Sequence, residues 1–213
     1  MFRGRTAGAQ GSLVHLVQRP YRSVILPAEI DRRVVTGIVP ALRTLPGFIS
    51  FTTVDFGGGR FGSFTLYARR EEAERVSAAA PSVVRNSLGD LIPGTAELRG
   101  GEVLRRMRTA GKASVLVMRR YDGCPDPAEL DRRIATQMLP RFAALPGFHG
   151  YCLVDDGGGR VSSLNLFGTP EDADMLGVLA GPLVQRHLSD LLPLAPETLV
   201  GQVLSETLAA EPA

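Results

Sequence analysis

The chain repeats itself. Residues 45–60 read LPGFISFTTVDFGGGR, and residues 145–160 read LPGFHGYCLVDDGGGR. Aligning 12–104 with 112–204 at a fixed offset of 100 gives 36 identities in 93 pairs without a gap. The matches cluster in phrases: PAEIDRR with PAELDRR, LPGF with LPGF, GGGR with GGGR, GEVL with GQVL. Ungapped agreement of this kind is a tandem duplication. Two copies are too few for a solenoid, which needs three or more stacked units. They suit a pseudo-twofold pair, the single-chain form of a symmetric dimer.

One copy reads as βαββαβ. SLVHLVQR (12–19) is β-branched and apolar, hence a strand. In residues 27–45, Ile30, Val34, Ile38 and Leu42 recur at helical spacing. Pro27 starts this helix, and Pro40 is expected to kink it or limit its last turn. FISFTTVD and FGSFTLYA are strands joined by FGGGR. A glycine run can cradle phosphate, but such loops run from a strand into a helix. Here strands flank it, so it is a hairpin turn using positive φ. Residues 70–92 are helical with an expected break at Pro81, and AELRGGEVL is the fourth strand. Four strands with helices on one side leave the other face bare, and that face must be buried. The second copy supplies a matching sheet. The fold class is therefore α+β, two ferredoxin-like βαββαβ repeats closing into an intramolecular barrel. The expected divisions are a leader (1–11), a first repeat (12–104), a basic linker (105–112), a second repeat (113–204) and a tail (205–213).

Bulk properties exclude several classes. The 213 residues are 44% hydrophobic, enough for a packed core. No apolar run approaches a membrane span of about 18 residues, and the leader has no apolar core of a signal peptide. A cytoplasmic location and no membrane partner follow as expectations. A net charge of +2 argues against a nucleic-acid partner. The charge is uneven: 105–112 holds four cations, and 113–213 carries 13 acids against 7 bases. Attraction between the halves, a partner or plain solvated surface would each account for it. Cys124 and Cys152 lack metal-binding or disulfide spacing, and His15, His149 and His187 have no ligand spacing. No metal and no cofactor are expected.

The phrases P…LPGF…VD.GGGR…S…L(F/Y)…E(E/D)A…G(E/Q)VL resemble the antibiotic-biosynthesis monooxygenase-like domains of the dimeric α/β-barrel superfamily, over nearly the whole chain. The resemblance implies a ferredoxin-like unit that pairs through its sheet, with pockets between sheet and helices. Some members of that group oxygenate aromatic polyketides without metal or flavin, others degrade haem, and many have no known activity. By position on the third strand of the second repeat, Asn165 resembles the asparagine of the polyketide oxygenases. Thr169 stands where that pattern has tryptophan, and the chain has no tryptophan. Thr65 replaces the asparagine in the first repeat, so the second repeat is the one expected to be active.

Strand alternation then names the neighbours of Asn165. Phe148, Gly150 and Cys152 with Ser163, Asn165 and Phe167 share one face in this reading, a small and polar surface walled by two aromatic rings. Gly150 is placed opposite Asn165, leaving room for a ligand. His149 and Tyr151 share the other face as a base and a donor. Three functions remain open. The first is a cofactor-independent monooxygenase acting on a small hydrophobic or aromatic, polyketide-like molecule. The second is a binding protein that holds such a molecule without turnover. The third is a structural pseudo-dimer with filled pockets. The chain is expected to be monomeric, with further homodimerisation open.

Overall fold

The computed structural model describes residues 14–209 apart from 23, 93 and 95, so the expected leader lies outside the described residues. Eight antiparallel strands form one closed barrel in the order β1-β3-β2-β8-β5-β7-β6-β4. The first repeat supplies β1 (His15–Tyr21), β2 (Phe48–Gly57), β3 (Arg60–Tyr67) and β4 (Arg99–Arg108). The second supplies β5 (Val115–Tyr121), β6 (Phe148–Gly157), β7 (Arg160–Phe167) and β8 (Glu197–Leu208). Each repeat keeps the ferredoxin-like order 4-1-3-2. The two sheets join edge to edge at β2–β8 and β4–β6. Every strand edge is thus paired, which removes the exposed edges of a lone sheet. Apolar side chains fill the barrel interior, among them Leu16, Val54, Leu116, Met118, Val154 and Leu164. The helices lie outside, each set covering its own sheet.

The fourth strands run further than expected. β4 continues to Arg108 and β8 to Leu208, so residues 105–108 of the predicted linker and 205–208 of the predicted tail are seam strands. The cations of the linker find acids of the second half. Arg105 makes a two-pronged pair with Asp131 at 2.6 and 2.7 Å, and Arg108 reaches Glu206 at 2.5 Å. The pseudo-symmetric place uses different chemistry: Asp31 accepts from Thr53 on β2 and from Ser205 on β8, the latter at 2.6 Å. Each seam is therefore pinned by an aspartate on the first helix of one repeat.

The repeated phrases have structural jobs. In PAEIDRR, Glu29 accepts from Arg32 and Arg33, and Arg33 also reaches Asp90 at 2.8 Å. In PAELDRR, Glu129, Arg132, Arg133 and Asp190 repeat the arrangement. These residues hold α1 (Pro27–Arg33) and α4 (Pro127–Arg133) to the loops after the long helices α3 (Arg70–Leu88) and α6 (Pro170–His187). Between α1 and α2 (Val39–Arg43) the chain makes a π-turn, Val34–Ile38, and the same turn, Ile134–Met138, precedes α5 (Leu139–Phe142). Pro40 and Pro140 explain it. A proline has no N–H to give and crowds the carbonyl four residues back. The π-turn widens the helix there, and Val39 donates to the carbonyl of Val34, five residues earlier. Pro81, expected to break its helix, does not. It sits on the exposed face of a continuous α3, where water can solvate the carbonyl it leaves free.

GGGR is a two-residue hairpin turn, with Gly58 and Gly59 at φ 59° and 73° and Gly158 and Gly159 at 64° and 74°. LPGF serves another close approach. Gly147 has φ 63°, its carbonyl accepts from Gly168 at 2.8 Å, and a Cβ there would lie 1.9 Å from the Asp172 carboxylate. Asp172 closes the capping box with Thr169 at the start of α6. Gly147→Ala is expected to cost more than about 1 kcal/mol, because both the backbone and the cap must shift. A lower unfolding midpoint in urea at unchanged slope would show it.

Candidate functional site

The site begins with hairpin register. Bulges at Asp155/Gly157 and Phe148/Gly150 break the simple alternation of β6. Tyr151, not Gly150, lies opposite Asn165, and Leu153 lies opposite Ser163. A one-residue offset sends every intervening side chain to the other face. Tyr151, Leu153, Ser163, Asn165 and Phe167 thus face the helices with Phe148. Cys152 packs inside the barrel with Val154 and Leu164, and Gly150 lies against Leu166 and Arg108. Neither forms part of the wall around Asn165, which corrects the sequence expectation. Burial pushes the Cys152 thiol up to about 12, so it is a packing group. His149 falls within the bulge and packs by Gly111 and Gly168. Tyr151 is buried by Asn165, and burial raises its pKa. The base-and-donor pair expected of His149 and Tyr151 is therefore split between two places.

The second repeat has almost no space beside Asn165. Its cavity measures about 40 Å³, hardly more than a water needs. Phe148 and Phe167 do meet, edge to face at 5.6 Å, but as part of a closed core. Asn165 is 2% exposed, its amide nitrogen donates to the Val117 carbonyl at 3.4 Å, and its amide oxygen has no partner. Asn165→Leu is accordingly expected to keep or raise stability, by up to about 2 kcal/mol, since it removes a buried unpaired acceptor. Thermal unfolding of that variant is the measurement.

The first repeat holds the room. Between its sheet and α3 lies a cavity of about 340 Å³, walled by Phe51, Phe61, Ile38, Leu42, Val76 and Val84. Offset-100 pairs explain the contrast. Ile38, Leu42, Thr53 and Thr65 become Met138, Phe142, Leu153 and Asn165. Along the long helix Val76, Ala79 and Val83 become Leu176, Leu179 and Leu183. Only Phe61, opposite Val161, runs strongly the other way. The shorter side chains of α3 leave space unfilled between helix and sheet, with Ala73 and Leu88 its buried residues.

Two buried or half-buried donors serve this cavity, and the exposed Arg75 lines it as well. Tyr67 is fully buried, its hydroxyl makes no well-formed hydrogen bond among the described residues although Thr65 stands beside it, and burial pushes its pKa up to about 12. Arg19 is half-buried and lowered from its ordinary value, first by burial. It donates to Ser77 at 3.0 Å, and among the described residues no carboxylate pairs with it. A guanidinium in such a setting wants an anion. Thr53, Ser63 and Thr65 add hydroxyls along the floor. A second space of about 410 Å³, also bounded by Arg19 and Tyr21, adjoins it under the C-terminal half of α3. Strand alternation puts Tyr67 on one face with Ser63 and Thr65, while Arg19 has no sequence signal of its own. The signal available was the replacement of leucines in α6 by valine and alanine in α3.

Among the described residues, no group of three or more His, Cys, Asp or Glu is placed to hold a metal ion. No described helix is long and apolar enough to cross a membrane. Neither a family model nor a curated protein matches the chain. Solved structures do. An anthrone oxidase-like protein is 12% identical, with 95% of each chain covered and a TM-score of 0.64. A proposed monooxygenase from Fusobacterium nucleatum is 10% identical, covering 92% of this chain and 95% of its own, at 0.70. A ferredoxin-fold protein from Listeria monocytogenes related to antibiotic biosynthesis monooxygenases is 8% identical, covering 91% and 95%, at 0.57. The chain has the fold of these solved structures, with its two ferredoxin-like sheets closed into one barrel.

Proposed function

We propose that the protein binds a small, largely apolar, ring-containing molecule with an ionisable oxygen in the first-repeat cavity, and oxygenates it without a metal or organic cofactor. The observation that carries this reading is a guanidinium without a carboxylate, Arg19, together with a buried phenol, Tyr67, in a chamber whose walls are mostly apolar. Apolar walls take the rings, and the two donors take the oxygen. Stabilising the deprotonated form lowers the pKa of the bound enol or phenol. The resulting anion is electron-rich enough to reduce oxygen itself: an activated CH₂ plus O₂ gives C=O plus H₂O, with all four electrons from the substrate carbon. The proton can leave through Thr53, which lines the cavity and donates to Asp31. The fold neighbours with oxygenase names support the reaction class. No histidine lines either cavity, so neither offers iron the axial ligand of a histidine-held haem.

A second reading, binding without turnover, is favoured by one observation: among the described residues, no carboxylate or histidine lines the cavity directly. Two measurements separate the readings. Calorimetric titration with 2-naphthol tests binding, and an oxygen electrode with anthrone tests turnover. Saturable binding with one O₂ consumed per anthrone, slowed in Arg19→Met, supports the oxygenase. Binding without oxygen uptake leaves the binding protein. Absence of binding removes both.

A further inference from the structure

One end of the barrel is built for a charge. A recess of about 440 Å³ opens there above Phe64 and Met118 of the interior. Gln18 reaches into it from β1. It is 2% exposed, its amide oxygen accepts from Arg120 at 3.1 Å, and its amide nitrogen has no partner. Arg99 stands opposite Gln18 in the β1–β4 register. Arg120 has only a long contact with Glu197, at 3.5 Å, while Arg99 is satisfied by Glu97 at 2.7 Å. Burial and then the charge of Arg99 hold Arg120 below its ordinary pKa, so the two guanidinium groups repel each other across the opening. Arg22 and Arg60 bring the same sign to the rim. Glu97, Glu197 and the nearby Asp156 offset only part of this charge. A free amide donor and crowded guanidinium groups need an acceptor bearing negative charge.

Divergence between the repeats strengthens the case. Gln18, Arg99 and Arg120 face Met118, Leu199 and Pro20 at their repeat partners. None of the three is inherited symmetry. Each puts a costly polar group where the other copy is apolar or has no side-chain donor, and all three converge on the same recess.

We propose that this mouth of the barrel binds a small oxyanion, a carboxylate or a phosphate, at a site that adjoins the first-repeat cavity and shares Arg19, Tyr21, Phe61 and Ile92 with its walls. The anion accepts from the Gln18 amide and lies between Arg99 and Arg120. It relieves the repulsion between them and completes the hydrogen bonding of Gln18. The full chain, labelled with ¹⁵N, is titrated with inorganic phosphate and, separately, with succinate, against sodium chloride at matched ionic strength. The expected result is a saturable shift of the Gln18 side-chain NH₂ signals with at least one of the two anions and none with chloride. Which anion saturates identifies the headgroup. In Arg120→Gln the affinity is expected to fall at least tenfold, and Gln18→Leu, which fits an apolar barrel, should lose the binding while remaining folded. Shifts that fail to saturate, or that chloride reproduces, would overturn the site, as would an unchanged affinity in Arg120→Gln. Because Gln18 and Arg120 line this recess and not the first-repeat cavity, where 2-naphthol binding is read, either proposal can fail alone.

Discussion

Arg19→Met is expected to erase the protein's preference for an ionisable oxygen while leaving the fold intact. The wild-type chain should bind 2-naphthol well above naphthalene, because only the former offers an oxygen to Arg19 and Tyr67. Methionine fills much of the arginine's volume and carries no charge. The lost charge-assisted hydrogen bond amounts to about 1.5–3 kcal/mol, or roughly a 10- to 150-fold weaker complex. Naphthalene affinity should hardly move. The unfolding midpoint should hold or rise, since a half-buried guanidinium without a carboxylate is a cost to the empty protein. A variant that lost affinity for both compounds equally would show that Arg19 shapes the chamber without recognising the oxygen.

The second large effect comes from rebuilding the first repeat in the image of the second. Leu42→Phe with Val76→Leu places the α5 and α6 residues Phe142 and Leu176 at their repeat equivalents, in walls that now enclose about 340 Å³. Ligand binding is expected to weaken at least tenfold, because four added carbon atoms take up part of the space the rings need. Stability is expected to rise by roughly 2 kcal/mol, at about 0.8 kcal/mol per buried methylene with some loss to imperfect fit. Calorimetry reads the first and thermal unfolding the second. A variant that bound the probe as tightly as the wild type would place the ligand elsewhere. The substitution avoids Thr53, whose hydroxyl serves the Asp31–Ser205 seam.

The architecture was legible because it is written in periodicities. Strand and helix patterns occur twice, and a half-covered sheet has to find a second face. The site was less legible because it depends on one residue of register. Asp156 bulges out of β6, and the pairing beyond it shifts, so Asn165 meets Tyr151. Nothing in VDDGGGR tells a four-residue turn from a two-residue turn with a bulge. Pro81 misled for a related reason. Its cost depends on whether its carbonyl target faces water, a property of tertiary placement. Asn165 drew attention as the unusual polar residue, yet unusual residues matter only where there is space. Space is set by many small differences, Val76 against Leu176 or Leu42 against Phe142, none notable alone.

The seams carry a kinetic consequence. In a symmetric dimer the two junctions of the barrel would be equivalent. In one chain they are not, because chain connectivity treats them differently. Arg106 meets Cys152 across the β4–β6 seam after 46 residues, whereas Thr53 meets Ser205 across the β2–β8 seam after 152. Loop-closure entropy grows as about 1.5 RT times the logarithm of length, so the longer closure costs about 1 kcal/mol more. The nearer junction is expected to form first and the distant one last, an order that pulsed hydrogen exchange on β6 and β8 amides during refolding would read. The same order reversed governs opening: the barrel unbuttons first between β2 and β8, and the hydroxyls of Thr53 and Ser205 around Asp31 are its last clasp.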